Sequence, residues 1–167
     1  LPLALGCWTF GPDQWTGKED ANLLTTMETA LDLGISHFDT AADYGDGYSE
    51  RLLGRFLKGR GDAAFVASKA DSDDIRAAVM LEQVQRSLER LQTDFIDLYY
   101  IHWPRKGKDL RPLMEGLETA RSGGLIGAIG VSNFSVEQMA QIQEVGTIHA
   151  HQLCYNLFWR YAEQNII

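Results

Sequence analysis

Short β-like runs of apolar residues alternate along this chain with longer stretches in which apolar residues recur every three or four positions. The short runs predict strands at 3–7, 35–38, 63–67, 95–101, 126–131 and about 147–153. The longer stretches predict a helix after each of the first five strands. The third helix shows the pattern most fully, with the 3, 4, 3 spacing of a buried stripe at Leu81, Val84, Leu88 and Leu91.

Local signals mark where the helices begin and end. Capping boxes at 16–19 and 135–138 predict the starts of the first and fifth helices, and Gly34 and Gly123 predict the ends of the first and fourth. The remaining boundaries are predicted at 49–57 for the second helix, Ser72 for the start of the third, 110 to 122 for the fourth and about 146 for the end of the fifth.

Six βα units, each of roughly 25 to 30 residues and joined by short loops, indicate a parallel sheet covered by helices. A doubly wound sheet and a (β/α)8 barrel share this alternation. The unusual polar and aromatic residues follow the carboxyl ends of the strands, at Trp8, Asp39, Tyr44, Lys69, His102, Ser132, Asn133 and Gln152. Residues from six successive strands converge only if the strands curve around one point, so the sequence predicts the mouth of a barrel.

Composition and charge narrow the class of protein. The chain has 167 residues, 45% hydrophobic and 23% charged, which suffices for one globular domain with a sizeable core. Its apolar runs are far shorter than the roughly 20 residues of a membrane span, and a net charge of -8 argues against nucleic acid. The start lacks the basic region of a signal peptide, and Cys7 and Cys154 are read as free thiols, so we expect a cytoplasmic protein.

Five stretches of the chain resemble the aldo-keto reductase family, in its order and at its usual spacing. They are GISHFDTAADYGDGYSERLLGRFL, VASK, DFIDLYYIHWP, GAIGVSNFS and HQLCYNL, and together they extend over nearly the whole chain. The resemblance implies a TIM-barrel enzyme, monomeric or oligomeric, that reduces aldehydes and ketones with a nicotinamide cofactor and without a metal. NADP(H) is the cofactor the family usually takes, and NAD(H) stays open here.

The same resemblance assigns four catalytic residues. Tyr44 matches the general acid, and Lys69 matches a neighbouring ammonium that is expected to lower the pKa of the phenol. Asp39 matches the carboxylate that pairs with Lys69 and also belongs to the cofactor site. His102 matches the residue that hydrogen-bonds the carbonyl oxygen and orients the substrate. Taken alone, each residue also fits an ordinary structural role. All four occur at strand ends, and this combination favours catalysis.

Five more residues match family contacts. Ser132, Asn133 and Gln152 match those that bind the nicotinamide carboxamide, which hydroxyl and amide groups complement. A strand-to-helix turn is the alternative for the first two. Trp8 and Trp103 match aromatics that line the apolar substrate mouth, and a plug at the barrel end is the alternative for each.

The chain departs from the family in its extent. A family barrel has eight strands and roughly twice this length, whereas the pattern here stops within the sixth unit. We therefore expect a single barrel domain over 1–167, truncated at its C-terminus and trimmed at its N-terminus. Six parallel strands leave two open edges, which a missing C-terminal segment, a partner or self-association would cover.

Three functions are compatible with these residues to different degrees. The first is reduction of a small carbonyl compound with NADP(H). The alternative is a non-catalytic aldo-keto reductase-like regulatory or assembly module, or an inactive fragment that cannot bind cofactor alone. A metal hydrolase on a TIM barrel would need a cluster of histidine and carboxylate ligands at strand ends, and only one such histidine is there. His149 and His151 share one strand face and could begin a metal site, but no third ligand is evident.

Overall fold

Six parallel strands lie side by side in one sheet, in the order in which the chain makes them. The computed structural model describes residues 3–11, 19–60, 63–71 and 74–167. The strands are β1 (Ala4–Gly6), β2 (His37–Asp39), β3 (Phe65–Ala70), β4 (Ile96–Ile101), β5 (Ile126–Ser132) and β6 (Ala150–Gln152). Their register brings the carboxyl ends together, since Gly6 pairs with Asp39 and Ser132 with Gln152.

A helix follows each of the first five strands, which confirms the predicted alternation. The helices are α1 (Asp20–Asp32), α2 (Tyr48–Leu57), α3 (Ala77–Leu91), α4 (Arg111–Ser122) and α5 (Val136–Gln143). Short 3-10 turns occur at Trp8–Phe10 and Tyr161–Gln164. Each parallel pair of strands is therefore connected by a helix that covers the outer face of the sheet.

The fifth helix begins as its sequence predicts. The Ser135 side chain accepts a hydrogen bond from the backbone N–H of Gln138, and the Gln138 side chain accepts one from the backbone N–H of Ser135. This reciprocal pair satisfies two N–H groups that the first turn leaves without helical partners. The strand-to-helix junction beside Ser132 and Asn133 is thereby fixed.

Several predicted boundaries differ from the observed ones. β6 has three residues rather than the predicted 147–153, and α3 begins at Ala77, well after Ser72. Ser72 itself and residues 16–18 of the first predicted capping box lie outside the described residues. Glu19 is the N-cap of α1 and makes no side-chain capping bond.

The sheet curls instead of lying flat. Gln152 at the end of β6 donates a hydrogen bond to Asp39 at the end of β2. Four strand spacings separate these strands, about 19 Å in a flat sheet. Contact across that separation requires the strands to bend around a common axis, so the architecture is the predicted partial TIM barrel with six βα units.

The two faces of the sheet pack differently. The outer face and the helices form the main core, which includes Phe38, Leu53, Val84, Tyr99 and Leu113. The inner face holds a small cluster of Ala67, Leu98 and Tyr100, with Ala128 and Ala150 against it. Gly130 lies directly against the ring of Tyr100, where any Cβ atom would overlap it. Small residues and one aromatic fill this layer, and the polar residues occupy the next layer, at the carboxyl ends.

Candidate active site

The centre of the polar layer is a buried ion pair. Lys69, on β3, is fully buried, and its Nζ pairs with Oδ1 of Asp39, which lies on the neighbouring strand β2. The same Nζ donates to the backbone carbonyl of Thr40 at 2.9 Å and to the hydroxyl of Tyr44 at 3.3 Å. Three acceptors therefore match the three donors of the ammonium, which is the condition under which a buried lysine keeps its charge.

Tyr44 lies in the loop after β2, with its ring beside the ammonium. Nζ of Lys69 is 4.9 Å from the ring centroid. The expectation of a lowered pKa is wrong in this structure. Burial of the phenol raises the pKa of Tyr44 above its ordinary value, and the carboxylates of Asp39 and Asp43 raise it further. Tyr44 therefore keeps its proton at neutral pH, as a proton donor must.

The loop that carries Tyr44 is fixed by buried hydrogen bonds. The hydroxyl of Thr40 donates to the Ser49 hydroxyl at 2.8 Å, and the Ser49 hydroxyl donates to the carbonyl of Cys7 at 3.1 Å. The backbone N–H of Ser49 donates to the carbonyl of Tyr44 at 3.2 Å. These bonds connect the ends of β1 and β2 with the start of α2, so the phenol is held by rigid elements on both sides.

His102 follows β4 and faces Tyr44. Its backbone N–H donates to the carbonyl of Ala70 at 2.9 Å, which extends the β3–β4 ladder by one bond. The imidazole and the phenol ring meet edge to face, with centroids 5.8 Å apart. The Trp103 ring lies 6.0 Å from the His102 ring. His102 is buried, whereas Trp103 is 51% exposed, so the indole borders the opening of the site.

Ser132, Asn133 and Gln152 meet at the ends of β5 and β6. Nδ2 of Asn133 donates to the Ser132 hydroxyl at 2.9 Å, and the Asn133 backbone N–H donates to the Gln152 carbonyl at 3.0 Å. Asn133 has φ 61°, a left-handed conformation that asparagine tolerates better than most residues. Ser132 and Asn133 therefore do form a strand-to-helix turn. The same backbone turn presents their side chains.

These three residues fit a nicotinamide carboxamide. The amide of Gln152 uses Nε2 to donate to Asp39, which leaves Oε1 as an acceptor. Asn133 keeps its Oδ1 and one amide hydrogen beyond the bond to Ser132. Together they offer acceptors for the carboxamide NH2 group and a donor for its oxygen. The donor set present therefore suits the group that the family resemblance implies.

Trp8 is the predicted site residue with the weakest structural connection to the others. It lies in the 3-10 turn after β1 and is 53% exposed. Within the described part of the chain, no ring contact joins it to Tyr44, His102 or Trp103. It follows the carboxyl end of β1, at the same end of the sheet as the ion pair.

A second buried network lies on the outer side of β3, and the sequence reasoning missed it. Glu50, in the first turn of α2, is fully buried and pairs with Arg90 of α3. Ser68 donates to Glu50 at 2.6 Å, and Arg90 donates to Ser87 at 3.2 Å. The pair links α2, β3 and α3 directly behind Lys69. Its sequence signal, a glutamate and an arginine 40 positions apart, is not a local pattern.

His149, just before β6, and His151, on β6, each accept a hydrogen bond from the backbone. Nδ1 of His149 accepts from the backbone N–H of Ile129, and Nε2 of His151 accepts from that of Phe134, each at 3.2 Å. Burial lowers the pKa of His151. The residues that the structure describes contain no group of three or more potential metal ligands. Over the same residues, no helix has the length and apolarity of a membrane span.

The chain is similar to the proteins of one known family over almost its whole length. The model of the Aldo/keto reductase family matches residues 2–167. Aldo-keto reductase YhdN of Bacillus subtilis is 38% identical over 99% of this chain and 53% of its own length. The NAD(P)H-dependent 6'-deoxychalcone synthase of Glycine max is 36% identical over 89% of this chain and 53% of its own.

Solved structures agree with these relatives. The glycerol dehydrogenase AKR11B4 from Gluconobacter oxydans matches 96% of this chain and 53% of its own, with a TM-score of 0.87 and 38% identity. An aldo-keto reductase from Klebsiella pneumoniae in complex with NADPH matches 98% of this chain and 57% of its own, with a TM-score of 0.87 and 28% identity. The chain thus spans about half the length of the proteins it matches. It belongs to the aldo/keto reductase family.

Proposed function

We propose that the protein is an NADP(H)-dependent oxidoreductase that reduces aldehydes or ketones to alcohols, with Tyr44 as the general acid. One observation carries the proposal: Lys69 donates to the oxygen of the Tyr44 hydroxyl. Because that oxygen accepts from the ammonium, the phenol proton is free to point towards a substrate. His102 stands edge to face with the same ring, on the side where a carbonyl oxygen would bind.

The nicotinamide, when bound, supplies a hydride to the carbonyl carbon. The residues of this chain neutralise the negative charge that then develops on the carbonyl oxygen. Tyr44 transfers its proton to the alkoxide oxygen, and the ammonium of Lys69 stabilises the phenolate left behind. Asp39 pairs with the buried ammonium of Lys69 and balances its charge. His102 orients the carbonyl by hydrogen bonding to its oxygen.

Ser132, Asn133 and Gln152 would hold the nicotinamide carboxamide, and Asp39 joins that site through Gln152. The names of two similar proteins support a nicotinamide cofactor, and one of them names NADPH. The enzyme from Glycine max is named as NAD(P)H-dependent, and the Klebsiella pneumoniae structure contains NADPH. We assign NADP(H) on that basis. The half-exposed Trp103, next to His102, would border the substrate, and Trp8 would contribute from the end of β1.

The alternative, a regulatory or assembly module without catalysis, is less well supported. Such a module has no need of a buried lysine with a phenol and a carboxylate both in contact with it. The domain would be one aldo-keto reductase-like barrel, with its open sheet edges covered by further βα units or by a second copy. Free thiols at Cys7 and Cys154 are compatible with a cytoplasmic location.

The test is oxidation of NADPH by the full-length protein, followed by nicotinamide absorbance, with a panel of simple aldehydes and ketones. We expect consumption of one NADPH for each alcohol formed, and slower consumption with NADH. Tight binding of NADPH without turnover of any carbonyl compound would instead favour the regulatory module.

A further inference from the structure

Asp43 has no part in the chemistry described above, yet its carboxylate faces the imidazole of His102. Oδ1 of Asp43 lies 3.2 Å from Nδ1 of His102. The two groups are close enough for a charge contact, although the ring N–H is not aligned for a hydrogen bond. Nδ1 is buried and makes no hydrogen bond with any group that the structure describes. A buried ring nitrogen with one polar neighbour takes its protonation from that neighbour.

We propose, on the basis of the proposed function, that Asp43 is a positioning residue that accepts from Nδ1–H of His102 and fixes the plane of the imidazole, so that Nε2, when it is protonated, donates to the substrate oxygen. When Nε2 also carries a proton, the ring donates to the carbonyl oxygen and the carboxylate balances its positive charge. Hydrogen bonds of catalytic groups are commonly long or misaligned before substrate binds, and they tighten when it does.

The charges around this pair agree with the assignment. Burial opposes ionisation of Asp43, but its contact with His102, its own backbone and the charge of Lys69 together lower the pKa of Asp43. The carboxylate is therefore charged at neutral pH. Asp39 and Tyr44 face the same space from the end of β2. At the ends of β3 and β4, Asp71 and Arg105 approach to 3.5 Å and offset one another's charge.

Nitrogen-15 NMR of the histidine rings in the full-length protein tests the contact without reference to activity. The chain has four histidines, and His102→Gln assigns the signal. We expect Nδ1 to be protonated in the unmodified protein at neutral pH. Asp43→Ala should move the proton to Nε2. Asp46→Asn removes the same charge from the same loop and should leave the spectrum unchanged. An unprotonated Nδ1 in the unmodified protein would overturn the proposal.

Steady-state kinetics tests what the contact between Asp43 and His102 contributes to catalysis. Asp43→Ala should lower kcat for aldehyde reduction about tenfold, because the imidazole loses its orientation and the doubly protonated ring loses its balancing anion. The KM for NADPH should stay unchanged, and Asp43→Glu should recover most of the loss. In the His102→Gln background, Asp43→Ala should have no further effect, because residues that act as a unit are not additive. Additive losses would show that Asp43 acts independently of His102. A protein that reduces no carbonyl compound would refute the proposed function, whereas the NMR result would still decide the Asp43–His102 contact.

Discussion

Both oxygens of the Asp39 carboxylate are engaged: Gln152 donates to Oδ2, and Lys69 pairs with Oδ1. One side chain thus connects the residues proposed to hold the nicotinamide with the ammonium beside Tyr44. Gln152 and Asp39 are 113 positions apart in the chain, and only the curvature of the sheet brings them together. Because charged groups in a buried site have few alternative partners, a change at one end of this connection alters the other.

Gln152→Leu removes the amide and keeps a side chain of similar size. We expect the KM for NADPH to rise about tenfold, since a hydrogen bond to a charged group is lost along with the carboxamide contact. Loss in kcat should be smaller, because Asp39 retains Lys69. Steady-state kinetics measures both constants. Gln143→Leu, on an exposed position of α5, is the matched control. An unchanged KM in Gln152→Leu would remove the residue from the cofactor site.

Lys69→Met leaves the Asp39 carboxylate without its buried cation. We expect a loss of about 3–5 kcal/mol in the free energy of unfolding, together with loss of activity by orders of magnitude. Adding Asp39→Asn should recover part of the stability, because the uncompensated charge is gone, but none of the activity. Urea denaturation and turnover of NADPH separate the two effects. A double variant no more stable than Lys69→Met would show that the charge pair is not what the single change disrupts.

The Glu50–Arg90 pair behind β3 should matter for stability far more than surface pairs do. Glu50→Gln leaves the partly buried guanidinium of Arg90 without its anion, and about 3 kcal/mol should be lost. The matched change is Glu82→Gln, which breaks the exposed contact with Arg86 and should cost at most about 1 kcal/mol. Urea denaturation compares them. Equal costs for the two variants would contradict the importance of burial.

Stability should depend on the protonation of Cys7. Burial, with the Asp39 carboxylate next in importance, raises the pKa of the Cys7 thiol to about 12, whereas an unfolded cysteine titrates near 8.5. Between these values the unfolded chain has lost a proton that the folded chain keeps. The contribution to the free energy of unfolding is therefore full below about pH 8.5 and falls as the pH rises.

Urea denaturation over a pH series measures this slope. Cys7→Ala should flatten it above about pH 8.5. Cys154→Ala, at an exposed thiol, should leave it as it is. A slope that survives in Cys7→Ala would assign the effect to other groups, among them the buried phenols of Tyr99 and Tyr100, whose pKa values burial also raises.

The sequence predicted those features that repeat locally or belong to a shared motif. The alternation of strands and helices follows from the spacing of apolar residues. The family motifs predicted that four side chains would meet, and the fold does bring them together: Asp39, Tyr44, Lys69 and His102. Their catalytic roles stay predictions. The short extent of β6 was missed, because apolar residues at 147–153 cannot show which of them pair with a neighbouring strand.

The errors concern properties that arise only from tertiary contact. The pKa of Tyr44 moves opposite to the expected direction because burial and the carboxylates of Asp39 and Asp43 raise it, and depth of burial is not encoded in the loop sequence. No local pattern indicated that Asp43 meets a histidine from the end of β4. Glu50 likewise finds its partner on a different helix. Each contact joins residues from elements that the sequence pattern treats separately.

The most direct test of the central claim is the hydride-transfer rate of Tyr44→Phe. Stopped-flow absorbance of NADPH, with the full-length protein in excess over cofactor and a simple aldehyde at saturation, gives that rate within a single turnover. We expect it to fall by at least about 100-fold, with the Kd for NADPH nearly unchanged, because the phenyl ring preserves packing and removes only the proton. A variant that transfers hydride at the unmodified rate would contradict the assignment of Tyr44 as the general acid.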